Sequence, residues 1–225
     1  MNRPGGTCED DGVRGRLRLA AAAFAIGIAA SACSSGSSHQ AASSPDPTSA
    51  LHGAVPAQHD PKPEFRLVDT AGRPYDLDAK TKGKVLLLYF GYTHCPDECP
   101  TSMADVATAL RHVTPQVRSQ VDVVFVTTDP WRDNEKVLRR WLDRFSPSFI
   151  GLTGTPSMVA GAQVAVGMPV SQRVGGKKAL RSGRYSVNHF AAVLAYDREG
   201  RLATLYPSGV TPADIAADLP VLVKG

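Results

Sequence analysis

Hydrophobic residues follow two spacings that alternate through the middle of the chain. Lys84-Val85-Leu86-Leu87-Leu88-Tyr89-Phe90 is an unbroken apolar run of strand length, which predicts a central strand covered on both faces. Val121–Val126 predicts a second buried strand. Between them, Met103, Val106, Ala107 and Leu110 recur at helical spacing across Cys99–Val113, and Pro100 suits a first helical turn. A second stripe of Val137, Leu138, Trp141 and Leu142 marks Asn134–Phe145 as a helix, and Phe149-Ile150-Gly151-Leu152 follows as a short strand. The order βαβαβ predicts a mainly parallel sheet.

The flanks are more varied. Phe65–Asp69 alternates weakly and runs into Gly72-Arg73-Pro74-Tyr75, a hairpin-like start to a folded part that begins at about Glu64 and continues to the end of the chain. Thr155-Pro156 opens a helix to about Val166, and Gly167–Ser186 is a polar, basic excursion. Phe190–Tyr196 and Arg201–Tyr206 form a hairpin across Asp197-Arg198-Glu199-Gly200, and a last helix starts at Thr211-Pro212-Ala213-Asp214 with Ile215, Leu219 and Leu222 apolar. The expected architecture is α/β, a central mixed sheet flanked by helices, thioredoxin-like in outline.

Composition changes this picture mainly at the N-terminus. Over 225 residues, 25 Lys and Arg stand against 21 Asp and Glu, a formal charge of +4 that is too even to favour nucleic acid as a partner. Arg14, Arg16 and Arg18 precede an uncharged run from Leu19 to Ala32, too short to span a bilayer and shaped like a secretory signal over residues 1–32. The run ends in Ala30-Ser31-Ala32-Cys33, which resembles the lipobox of bacterial lipoproteins; the resemblance implies lipid on Cys33 and a domain held at the extracytoplasmic face of a cell membrane. An ordinary cleavage site with Cys33 incidental is the alternative. Residues 33–63, rich in Ser, Ala, Pro and His, read as a flexible tether on which His39, His52 and His59 are solvated linker residues.

With Cys8 removed with the signal and Cys33 blocked by lipid, sulfur chemistry rests on Cys95 and Cys99 in Tyr92-Thr93-His94-Cys95-Pro96-Asp97-Glu98-Cys99-Pro100. Two thiols three residues apart, one in a loop and one at a helix start, can share a small ion or close a disulfide. The helix N-terminus is expected to favour thiolate at Cys99. A structural zinc site normally needs four protein ligands and the chain has no second cysteine pair of that kind, whereas two thiolates plus an imidazole suit copper. Two histidines are candidates for the imidazole: His94, whose side chain should point away from that of its neighbour Cys95, and His189, which stands before the late strand and on local sequence alone reads as a structural residue.

Four segments in order, Gly91–Pro100, Thr128-Asp129-Pro130-Trp131-Arg132-Asp133, Phe149-Ile150-Gly151-Leu152-Thr153-Gly154 and Tyr185-Ser186-Val187-Asn188-His189, closely resemble the Sco/SenC family. The resemblance covers about Phe65 to Val221. It implies a membrane-anchored copper metallochaperone of thioredoxin-like fold with an inserted loop or hairpin segment, with copper held by Cys95, Cys99 and His189 and delivered to the copper subunit of cytochrome c oxidase or another cuproprotein. It also admits a redox-active Cys95–Cys99 pair, a disulfide when oxidised, whose dithiol form some members use to reduce the oxidase site. Two departures are Asn188, where the family usually has Asp, and Phe190, where a small hydroxyl residue often follows. Loss of that carboxylate bears on how His189 is polarised.

Asp129, at the end of the second central strand, reads either as an outer hydrogen-bonding partner of the copper loop or as a cap of its own turn. Arg173, Lys177, Lys178, Arg181 and Arg184 make the excursion basic, either as a solvated loop or as a docking surface for an acidic partner or lipid headgroups. Two competing functions share most of these features: an extracytoplasmic thiol-disulfide oxidoreductase using Cys95 and Cys99 without metal, and a noncatalytic lipoprotein with a structural disulfide.

Overall fold

Nine strands and seven helices build the domain in the computed structural model, which describes residues 51–224. The proposed signal, Cys33 and the tether up to residue 50 lie outside the described residues. In chain order the elements are β1 (Arg66–Asp69), β2 (Pro74–Asp76), α1 (Leu77–Lys80), β3 (Val85–Gly91), α2 (Glu98–His112), α3 (Pro115–Arg118), β4 (Val121–Thr127), α4 (Glu135–Leu142), β5 (Ile150–Thr153), α5 (Pro156–Ala165), β6 (Gln172–Val174), α6 (Lys177–Ser182), β7 (Ser186–Asn188), β8 (Ala192–Tyr196), β9 (Leu202–Pro207) and α7 (Pro212–Lys224). Among them no helix is long and apolar enough to cross a membrane.

Seven strands form one sheet in the order β2-β1-β5-β4-β3-β8-β9. β3, β4 and β5 are parallel, as their helical crossovers require, while β1 and β8 pair antiparallel on either side of this core and β9 closes one edge against β8. The sheet is therefore mixed and the fold is the α/β thioredoxin-like one expected.

Every residue of β3 is buried because the two faces of a pleated strand each meet a separate apolar layer. Val85, Leu87 and Tyr89 pack with α2, α4 and α7 through residues such as Met103, Val106, Trp141 and Leu219. Leu86, Leu88 and Phe90 pack on the other side with Leu77, Val159 and Ala162 of α1 and α5. Helix starts follow local chemistry: Asn134 and Thr155 accept from the backbone N–H groups of Val137 and Met158, and Pro156 occupies the first turn of α5.

Three expectations change. The tether does not run to Pro63: Leu51 is buried, Ala54 and Pro61 bridge to Leu205 and Arg201 at the β9 edge, and Lys62 pairs with Asp78 at 3.1 Å, so the segment from Leu51 to Pro63 is packed on the domain. His52 and His59 are exposed, as expected, but not unattached linker residues: the His52 ring meets the buried carboxylate of Asp218 at 2.6 Å and His59 Nδ1 meets the Leu202 carbonyl at 2.8 Å. The basic excursion is organised, with β6 and β7 pairing antiparallel around α6 as a ribbon separate from the main sheet. No residue of β6 is buried, so no apolar alternation announces it.

Candidate metal centre

The site lies at the C-terminal end of β3, where the chain leaves the sheet and must turn before α2 can start. The Cys95 N–H closes the turn on the Tyr92 carbonyl at 3.2 Å. Asp133, fully buried, fixes the loop from outside: its carboxylate accepts from Thr93 N at 2.9 Å, Thr93 Oγ1 at 2.6 Å and Thr127 Oγ1 at 2.7 Å. Thr128 N and Oγ1 both donate to the Gly91 carbonyl, which locks the end of β3 to the end of β4.

Three side chains converge on this turn. Cys95 Sγ, Cys99 Sγ and one ring nitrogen of His189 all lie within 4.8 Å of one another. His189 Nε2 stands 3.1 Å from Cys99 Sγ, although 90 residues separate them in sequence. The imidazole reaches that position from the loop between β7 and β8, held edge-on to the rings of Tyr92 at 5.4 Å and Tyr89 at 6.3 Å. Both cysteines are free thiols, so the Cys95–Cys99 disulfide that the resemblance admits is not formed in this structure.

The two sulfurs are electrostatically unequal. Cys95 accepts a hydrogen bond from the Cys99 thiol and, at 3.4 Å, from the Cys99 backbone N–H; with a further contribution from the Asp97 N–H and the nearby His189, these hold its pKa down at about 5 against the opposing effect of burial. Burial pushes the Cys99 thiol well above the usual range, and donation to Cys95 adds to the shift. The expectation that the helix start would favour thiolate at Cys99 is thus corrected. The backbone N–H of Cys99 in the first turn of α2 and that of the preceding Asp97 point at Cys95, while Cys99 itself is fully enclosed. Burial also lowers the His189 pKa, which keeps the ring neutral and its nitrogen available as a donor.

Asp129 does not serve the cysteine loop. Its fully buried carboxylate binds the Arg132 guanidinium and accepts from Tyr185 Oη at 2.7 Å. Arg132 in turn donates to the Gly183 and Tyr185 carbonyls at 2.8 and 3.0 Å. Of the two sequence readings, the local one holds in part, since the Asp129 carbonyl accepts from Arg132 N at 3.1 Å and Asp133 N at 2.9 Å and so closes its own turn; its carboxylate in addition pins the inserted ribbon to the end of β4 and fixes the stem that carries His189. His94 points outward and takes no part in the three-residue cluster.

Two functional residues were not singled out from sequence. Asp133 looked like any acidic residue in a turn, since the hydroxyl groups that it gathers come from two separate strand ends. Gly91 is needed for close approach: a Cβ there would stand 2.7 Å from both Cys99 Sγ and the Tyr89 ring. A glycine ending an otherwise fully apolar strand was the available signal.

Fold and site together define a thioredoxin-like domain whose cysteine pair is completed by a histidine from an insertion. The chain belongs to the SCO1/SenC family, whose model matches residues 54–224. It is similar to apo Sco1 from Thermus thermophilus, with 36% identity, 76% of this chain and 96% of that chain covered, and a TM-score of 0.65. It is also similar to ScoI from Bradyrhizobium japonicum with copper bound, at 33% identity, 72% and 98% coverage and a TM-score of 0.63. The mitochondrial SCO2 homolog of Homo sapiens is 32% identical over 160 residues, 71% of this chain. The match spans 57% of that human protein and 47% of the SCO2-like protein of Rickettsia felis, about half of each relative's own length.

Proposed function

We propose that this chain is a copper metallochaperone that holds one copper ion as cargo on Cys95, Cys99 and His189 and passes it to the copper subunit of cytochrome c oxidase or another cuproprotein. The observation that carries the reading is the convergence of two sulfurs and an imidazole nitrogen within 4.8 Å in one cleft. Soft thiolates favour Cu(I), and a neutral imidazole completes a low-coordinate site that also tolerates Cu(II). His189 sits on a loop and is the one neutral donor beside two thiolates, so the imidazole is the donor an incoming ligand displaces first. The oxidase as acceptor follows from the Sco/SenC resemblance. Lipid on Cys33 would keep the domain at the extracytoplasmic face of the membrane; intact mass of Cys33 and release of a Cys33→Ser variant from membranes test that part.

Anaerobic Cu(I) titration in competition with a chromogenic chelator tests the centre. His189→Ala should weaken retention by more than about tenfold, the scale on which even outer partners of metal ligands act. Circular dichroism should stay unchanged. Unaltered affinity in His189→Ala would remove the imidazole from the ligand set.

The sulfur asymmetry supports a second reading, a thiol-disulfide reductase. Cys95 would attack a partner disulfide as thiolate, and Cys99 would then displace the partner's thiol, two electrons passing from the dithiol to the disulfide. That activity needs no histidine. Reduction of a disulfide substrate at wild-type rate by His189→Ala, with no copper uptake by wild type, would favour it over the metallochaperone.

A further inference from the structure

The inserted segment that carries His189 combines exposed apolar side chains with unopposed positive charge. Phe190 and Val170 remain 39% and 42% exposed, and they line with His189, Asn188 and Pro169 a shallow pocket of about 220 Å³. Trp131, 49% exposed, carries the Arg173 guanidinium over its ring at 4.1 Å. Lys177, Lys178, Arg181 and Arg184 follow on the same inserted segment, all exposed. No Asp or Glu occurs between Asp143 and Asp197. Among the described residues, none of these five cations forms an ion pair.

The ribbon is held, rather than left to swing. Asp129 binds Arg132 and Tyr185, Arg132 lies over the Tyr185 ring at 3.7 Å, and its guanidinium grips the Gly183 and Tyr185 carbonyls. Buried, paired charge therefore presents exposed, unpaired charge at a set position on the segment that leads into His189, with Arg173, opposite Val187, at the end of the ribbon nearer the metal ligand. Uncompensated cations repel one another, and an approaching anionic surface relieves that repulsion.

We propose that this face is the docking surface for the copper-accepting protein, and that the acceptor presents an apolar centre ringed by carboxylates. The inference rests on the metallochaperone reading in one respect: direct ligand exchange brings the acceptor's own ligands to the ion beside His189, so the acceptor must cover this face. A lipid surface seated here would instead shield the ligand that has to leave. Asp97, exposed two residues from Cys95, adds a negative charge to the cysteine loop, so the charge of this surface is uneven and can orient the incoming partner.

The test measures complex formation with metal-free partners, by anisotropy of a labelled probe. The probe is an apo copper domain of strongly negative net charge, compared with the same domain carrying Asn and Gln at its surface Asp and Glu. From about 20 to about 200 mM salt, where the Debye length falls from roughly 20 to roughly 7 Å, wild-type Kd should rise at least tenfold for the acidic probe only. Lys177→Glu/Lys178→Glu/Arg181→Glu should weaken binding at least tenfold at low salt and flatten the salt dependence, with Cu(I) affinity and circular dichroism unchanged. Trp131→Ala should weaken binding at every salt concentration. Equal affinity for both probes, or wild-type binding by the triple variant, overturns the proposal. So does a triple variant that loses only its adsorption to phosphatidylglycerol vesicles, which assigns the ribbon to lipid. Wild type that takes up no Cu(I) sinks the metallochaperone reading, whereas complex formation is read without metal and judges the docking surface separately.

Discussion

Gly91→Ala tests whether the site depends on close packing beneath it. The added methyl would meet Cys99 Sγ and Tyr89 Cε1 at 2.7 Å and Phe125 Cε2 at 3.1 Å. All three neighbours are fully buried, so none can swing into solvent. The backbone cannot retreat either, because Gly91 pairs with Thr127 and its carbonyl accepts from Thr128. Sulfur must therefore move by about 0.7 Å to reach ordinary contact, a displacement that shifts it relative to His189 Nε2, now 3.1 Å away. Overpacking of this kind costs about 1–3 kcal/mol, which for a domain of this size lowers Tm by about 3–10 °C. Urea unfolding gives the stability, and Cu(I) competition should show a loss larger than that of an equally destabilised core variant far from the cysteines, such as Val159→Ala. Wild-type Tm and copper affinity in Gly91→Ala would refute the reasoning.

Three further outcomes follow from the site and its supports. Asp133→Ala strips three hydrogen-bond donors of a buried carboxylate and should cost about 2–4 kcal/mol, read by denaturant unfolding; Asp97→Ala, exposed, should cost almost nothing. Cys95, lowered to about 5, is thiolate above that pH and thiol below it, so its iodoacetamide reaction in the metal-free, reduced protein should level off by about pH 6 while Cys99 stays unreactive; peptide mapping distinguishes them. His52 has its pKa raised above 6.5 by the hydrogen bond and charge of Asp218. The clasp it makes is fully present below that unperturbed value and is lost as pH rises through the raised one. Exchange of the Ala54 N–H, bonded to Leu205, should then accelerate beyond the ordinary base-catalysed increase, a difference that Asp218→Asn should abolish.

Much of the scaffold was legible because its causes are local. β3 is buried throughout and β4 from Val123 onward, and both read as largely apolar runs, while α2 and α4 show their stripes directly. The cysteine pair was equally plain, as was the outward direction of His94. The ribbon was not: β6 is wholly exposed, and its pairing with β7 is a backbone match with no side-chain pattern. The segment from Leu51 to Pro63 misled for a related reason. Its composition is that of a linker, yet Asp218 on α7, 166 residues from His52, supplies the partner that orders it.

The amino-acid sequence by itself determined the strand and helix order, the two thiols and their spacing, and the family resemblance that nominated a distant histidine. Only the tertiary structure decided that His189 lies beside Cys99, that Cys95 rather than Cys99 is the acidic thiol, and that Asp133 and Gly91 hold and admit the cluster. The physical reason is that hydrophobic periodicity is written over a few residues, whereas a thiol's acidity and a ligand's reach are set by burial and by groups brought in from remote elements.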